Sequence, residues 1–184
     1  TDSTLTVTTR VMKDGQVVDE QIVKTADEGQ KKATVAFVNT YNDNPTTLGG
    51  EGNVKINATK SLTNRPMVDG EFTFHVLDKN QNPVTSGMNS ADGTITFAPV
   101  TYDTDKLIAD EKAGIAKKSV KEGAYVYTYD YTVVEAPTTD GVTGDATTFA
   151  IQVIATDKGD GTLELKVQYP EGTDSLAFKN LYGE

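Results

Sequence analysis

A chain of 184 residues with 36% hydrophobic composition has room for one good-sized core, or for one domain and a fragment of another. A net charge of −10 argues against nucleic acid or an anionic membrane as partner, and no apolar run approaches the roughly 20 residues of a membrane span. The chain has no cysteine, which excludes disulfides, thiolate metal sites and cysteine nucleophiles, and its single histidine, His75, leaves little for zinc or a Ser-His relay.

From the N-terminus, which is polar and is not expected to be a signal peptide, the pattern is mostly period-2. Strands are predicted over Thr4–Val11, Thr34–Tyr41, Val54–Lys60, Glu71–Leu77, Thr94–Ala98, Ala124–Glu135, Thr148–Ala155, Thr162–Tyr169 and Leu176–Tyr182. Turn signals such as Asp14-Gly15, Asp92-Gly93, Gly159-Asp160-Gly161 and Pro170-Glu171-Gly172 separate them. Asp105–Lys118, with its Ala, Lys and Glu, reads as the one helix. Asp78-Lys79-Asn80-Gln81-Asn82 begins like a calcium loop but lacks the required Gly and closing Glu, so it reads as a β-turn. No metal or cofactor is expected. Many short strands with frequent turns predict an all-β antiparallel sandwich.

A lopsided internal repeat divides the chain. Val35-Ala36-Phe37-Val38-Asn39-Thr40-Tyr41 echoes Leu176-Ala177-Phe178-Lys179-Asn180-Leu181-Tyr182, and Thr4–Val7 echoes Thr162–Leu165. Residues 1–41 therefore read as the closing strands of a preceding repeat, 42–51 as a linker, and 52–184 as a complete module. Forty-one residues cannot bury a core alone, so they are expected to pack on a neighbouring module or another chain. No Leu-Pro-x-Thr-Gly sorting signal is present, so an internal piece of a longer protein is expected.

Parity selects three polar residues on apolar strand faces. Val54, Ile56, Ala58 and Lys60 share one face, so Lys60 points inward and Lys55 outward. Leu176, Phe178 and Asn180 align in the same way, as do Tyr127, Tyr129, Tyr131, Val133 and Glu135. His75 alternates away from Phe72, Phe74 and Val76, onto the exposed face. Taken singly, Lys60, Glu135 and Asn180 read first as rim positions with polar tips in water, and Lys60 with Glu135 as a buried ion pair.

Ala58-Thr59-Lys60-Ser61-Leu62-Thr63-Asn64-Arg65-Pro66 followed by Asp69-Gly70-Glu71-Phe72-Thr73-Phe74 resembles the opening of the Gram-positive pilin isopeptide-linkage domains. Asp92–Phe97, Tyr127–Glu135, Gly159–Leu163 and Phe178–Tyr182 continue the resemblance in order, over about residues 52–182. It implies a Cna-B-type, immunoglobulin-like sandwich with a reactive Lys on the first strand, Lys60, and a reactive Asn on the last, Asn180. It also implies a catalytic Glu at Glu135. Asn39 matches the reactive Asn of the preceding repeat, but its Lys would lie upstream of residue 1. Tyr102–Gly123 is longer than the resemblance leads one to expect.

Burial explains why such chemistry uses these residues. Desolvation drives Lys60 toward the neutral, nucleophilic amine, and favours an uncharged Glu135 that can relay the proton to departing ammonia. Phe72, Phe74, Tyr131 and Phe178 are the expected pocket walls. The implied function is a structural stalk or pilin-like module of a cell-wall surface protein, with neighbouring repeats as partners. It would crosslink once and show no enzymatic turnover. The alternative is an adhesin module whose loops, notably Tyr102–Gly123, contact a host protein or glycan.

Overall fold

A computed structural model of the protein describes residues 6–13, 16–24 and 42–183. The chain forms two compact units that divide between Thr40 and Tyr41. In the first, β1 (Thr6–Lys13) and β2 (Gln16–Lys24) form an antiparallel hairpin, in register from Thr6↔Lys24 to Lys13↔Gln16 with an irregularity at Val11/Met12. The sequence pattern marks no strand over the second of these. The predicted strand at Thr34–Tyr41, with Asn39, lies outside the described residues.

The second unit is an all-β sandwich with one short helix. Its strands are β3 (Thr46–Leu48), β4 (Ala58–Thr63), β5 (Thr73–Leu77), β6 (Pro83–Asn89), β7 (Ile95–Phe97) and β8 (Val100–Tyr102). After helix α1 (Thr104–Lys112) come β9 (Ala116–Lys121), β10 (Ala124–Glu135), β11 (Val142–Thr143), β12 (Phe149–Asp157), β13 (Leu163–Gln168) and β14 (Leu176–Tyr182). The larger sheet runs β13-β12-β10-β5-β6-β7, with β9 also on β10, and the smaller runs β11-β14-β4. All named strand pairs are antiparallel except β14 with β4, which run parallel with Leu176 opposite Ala58 and Phe178 opposite Lys60. This pair lays the module's closing strand beside one of its opening strands.

Alternation builds the core between the two sheets. Phe74 and Val76 of β5, Tyr129, Tyr131 and Val133 of β10, Ile151 and Val153 of β12, and Leu176 and Phe178 of β14 are all buried. Removing each large apolar side chain from water contributes roughly 1.5–3 kcal/mol. At Asp92-Gly93, glycine is required: its φ is +94°, and a Cβ there would come 2.5 Å from the Lys60 carbonyl oxygen. The Gly93 carbonyl accepts from the Lys60 N–H at 2.7 Å, so this turn clasps the backbone of the buried lysine.

Two readings from sequence need correction. The stretch 42–51 is no free linker: β3 pairs with β8, Leu48 is buried, and the Asn44 N–H donates to the Gly161 carbonyl at 2.8 Å. The helix stops at Lys112 rather than Lys118. It is capped at its start by Asp103, which accepts from the Lys106 N–H, and Gly114 (φ +74°) follows its end. Ala116–Lys121 then pairs with β10 as an edge strand whose exposed Lys117, Lys118 and Lys121 blunt further pairing. Tyr102–Gly123 is thus a helix and a strand rather than an open loop.

Candidate functional site

Strand parity delivers three polar side chains to one end of the core. Lys60 lies between the buried Ala58 and the half-buried Leu62, Asn180 follows the buried Phe178, and Glu135 is the last residue of β10. The Lys60 Nζ lies 2.6 Å from the Glu135 Oε1, and these side chains are 0% and 1% exposed. The same Oε1 accepts from the Asn180 Nδ2 at 3.0 Å. One carboxyl oxygen therefore touches both the amine and the carboxamide. The Asn180 Oδ1 is buried without a hydrogen-bond partner.

The walls are aromatic. The Lys60 Nζ sits 4.7 Å from the Phe72 ring centroid and 6.0 Å from that of Phe74. Phe178 packs against Phe74 with the rings tilted by 51° and their centroids 4.9 Å apart, and meets Phe149 edge-on at 4.9 Å. In this setting desolvation pushes the Lys60 ammonium below its ordinary range, against the opposing pull of the Glu135 carboxylate. An unexposed charge beside rings and an unpaired carbonyl is a costly arrangement for structure alone.

Of the expected walls, Phe72, Phe74 and Phe178 surround the site. Tyr131 does not: it is four residues up β10 from Glu135, and its hydroxyl bonds that of Tyr102 at 2.8 Å in a separate tyrosine cluster. Parity placed Tyr131 on the inner face correctly but could not tell which end of the core it serves. His75 is half-buried, with Nδ1 2.7 Å from the Ser86 hydroxyl, and takes no part. Asp78 caps its own turn by accepting from the Asn80 and Asn82 N–H groups, and among the described residues no acidic or histidine cluster could hold a metal.

Three further residues complete the site. Phe149 was visible as the first apolar position of its strand. Gly144 and Asp145 sit in a segment that reads only as a polar loop, whose one signal is the Asp-x-Thr turn pattern. The Asp145 N–H donates to the Glu135 Oε2 at 2.9 Å. Farther out, the Arg65 guanidinium forks onto the Glu71 carboxylate and lies over the Tyr182 ring at 4.6 Å. The Asn64 carboxamide donates to the Tyr182 carbonyl at 2.9 Å, tying the end of β14 to the segment after β4.

A family model described as FctA, Spy0128-like isopeptide containing domain, matches residues 56–183. The chain belongs to this family. The matched stretch holds Lys60, Glu135 and Asn180 and the strands that carry them, and it supports a pilin-like, isopeptide-containing domain. Comparison with curated proteins gave no match.

Proposed function

We propose that the module staples itself shut with an amide between Lys60 and Asn180, promoted by Glu135, and serves as a stalk or pilin-like segment of a Gram-positive cell-wall surface protein. The observation that carries this reading is the single Glu135 oxygen in contact with both Lys60 and Asn180 in an aromatic, unexposed pocket. Transfer of one proton from the ammonium to the carboxylate yields a neutral amine and a carboxylic acid. A half-turn of the Asn180 carboxamide then presents Oδ1 to that acid, which polarises the carbonyl. The Lys60 nitrogen attacks the Asn180 Cγ, the Cγ–Nδ2 bond breaks, and Glu135 carries the proton from the amine to the leaving ammonia. Fixed positioning supplies the effective molarity that the poor electrophile needs. The reaction happens once per molecule, without turnover.

The mechanical role follows from where the bond falls. It would join β4 to β14, so a pull on the ends of the matched region is carried by the crosslink and largely bypasses the sheets between. The loop it closes is about 120 residues, which restricts the unfolded chain enough to stabilise by roughly 4–5 kcal/mol. The adhesin alternative has less support: Tyr102 is buried, and the only large hydrophobics exposed between residues 102 and 123, among the described residues, are Ile108 and Val120. Peptide mapping of the digested protein tests the crosslink. A branched peptide joining the segments around Lys60 and Asn180 is expected; recovery of both as separate linear peptides would refute it.

A further inference from the structure

Asp145 stands between the two halves of the site. Its backbone N–H holds the Glu135 Oε2 at 2.9 Å, while its side-chain Oδ2 accepts from the Lys179 N–H at 2.8 Å, next to Asn180. Its Oδ1 accepts from the Thr147 N–H at 2.9 Å and closes the turn. A polar turn needs only the last of these bonds. The Lys179 bond spans 34 residues of sequence and fastens the loop to β14. Gly144 brings the loop close: a Cβ there would lie 3.3 Å from the Glu135 Oε2 and 3.0 Å from the Thr138 methyl.

We propose that Asp145 is a positioning residue for the crosslinking step, locking the loop that orients Glu135 to the strand that carries Asn180. The inference rests on the proposed function above. A carboxyl oxygen that accepts a backbone N–H is the one left without the proton. With Oε2 so engaged, the proton that Lys60 gives up is received on Oε1, the oxygen that faces Lys60 and Asn180. As the Nζ–Cγ bond forms, Oε1 passes this proton to the Asn180 carbonyl oxygen and takes one from the attacking nitrogen; it gives that one to the Asn180 nitrogen as the Cγ–Nδ2 bond breaks and ammonia leaves, and recovers the first as the carbonyl re-forms. The Asp145 charge acts in the opposite direction. Burial pushes its carboxyl up, but the Thr147 and Lys179 N–H donors and the nearby Lys60 outweigh that and hold it ionised, and a negative charge favours the unreactive ammonium. Geometry and charge thus predict opposite signs for its removal.

The test is a time course on the full chain made by cell-free translation, quenched in acid and weighed intact, scoring the fraction lighter by one ammonia. Asp145→Ala is expected to slow crosslinking on the order of tenfold to a hundredfold. Asp145→Asn, which keeps one acceptor oxygen and no charge, should recover part of the rate, and Gly144→Ala should slow it with Asp145 intact. Thermal unfolding of Lys60→Ala with and without Asp145→Ala reports any loss of folding separately. An Asp145→Ala rate equal to or above wild type overturns the proposal and leaves only the charge effect. If Asp145→Ala does not fold, wild-type rates in both Asp145→Asn and Gly144→Ala overturn it. A wild-type chain that keeps its full mass would refute the crosslink itself, and this inference with it.

Discussion

The core holds two buried polar clusters built from the same strand, β10, and they differ in whether their groups are satisfied. In the first, the Tyr102 and Tyr131 hydroxyls bond each other at 2.8 Å, and the Tyr129 hydroxyl donates to Asp110 at 2.8 Å. Asp110 in turn meets the Lys106 Nζ at 2.9 Å, so helix α1 is pinned to the sheet through a closed network. In the second, Lys60 lies against Phe72 with one close carboxylate, and the Asn180 carbonyl has no partner. A satisfied network specifies structure, whereas an unsatisfied one holds groups in a state that reaction can relieve. Position in the core is shared; chemistry is decided by the leftover atoms.

The largest expected effect breaks the second cluster. Lys60→Met should abolish the ammonia loss and lower stability in denaturant by roughly 4–5 kcal/mol, the share of the closed loop, with some further loss because Glu135 is left buried and unpaired. Adding Glu135→Gln to Lys60→Met should restore part of that stability, by about 1–3 kcal/mol, while the mass stays at its full value. If the double variant were less stable than the single one, Glu135 would be satisfied by other groups and the contrast would fail.

The first cluster should respond in stability alone. Tyr129→Phe removes the donor to Asp110 and should cost about 1–2 kcal/mol in a denaturant titration, with complete crosslinking by intact mass. A pH effect follows from Tyr102, whose hydroxyl burial pushes up from 10.0 to about 12. Its neutral form is favoured in the fold, so its contribution is fully present below pH 10 and is lost as pH rises toward 12. Burial pushes the Tyr129 and Tyr131 hydroxyls up as well, so alkaline melts of wild type should show a summed loss, and Tyr102→Phe should reduce it only by the Tyr102 share, on the order of 2 kcal/mol.

Alternation made much of this legible in the sequence. It separated Lys60 from Lys55, gave β10 and β14 their bounds, and put Asn180 beside Phe178 on the inner face. It failed where short-range pattern carries no information about partners. Thr46–Leu48 is a three-residue strand in a stretch rich in Asn, Gly and Thr, and only β8 across from it makes it a strand. Ala116–Lys121 is lysine-rich and helix-like in composition, yet β10 offers it an open edge, and tertiary pairing overrides the weak local preference. The β-hairpin strand Gln16–Lys24 shows no period-2 signal because its polar residues interrupt the alternation. Asp145 could not be singled out because its role depends on a backbone N–H and on two strands distant in sequence.

On the proposed function, Lys60 and Asn180 become one amide with the help of Glu135. Intact-protein mass spectrometry of the denatured wild-type chain beside Lys60→Ala and Glu135→Ala tests it most directly. Wild type is expected to be lighter by one ammonia than its calculated mass, and both variants to keep their full calculated masses. A wild type at full mass would contradict it, and would reduce the pocket to a buried ion pair next to an unsatisfied asparagine.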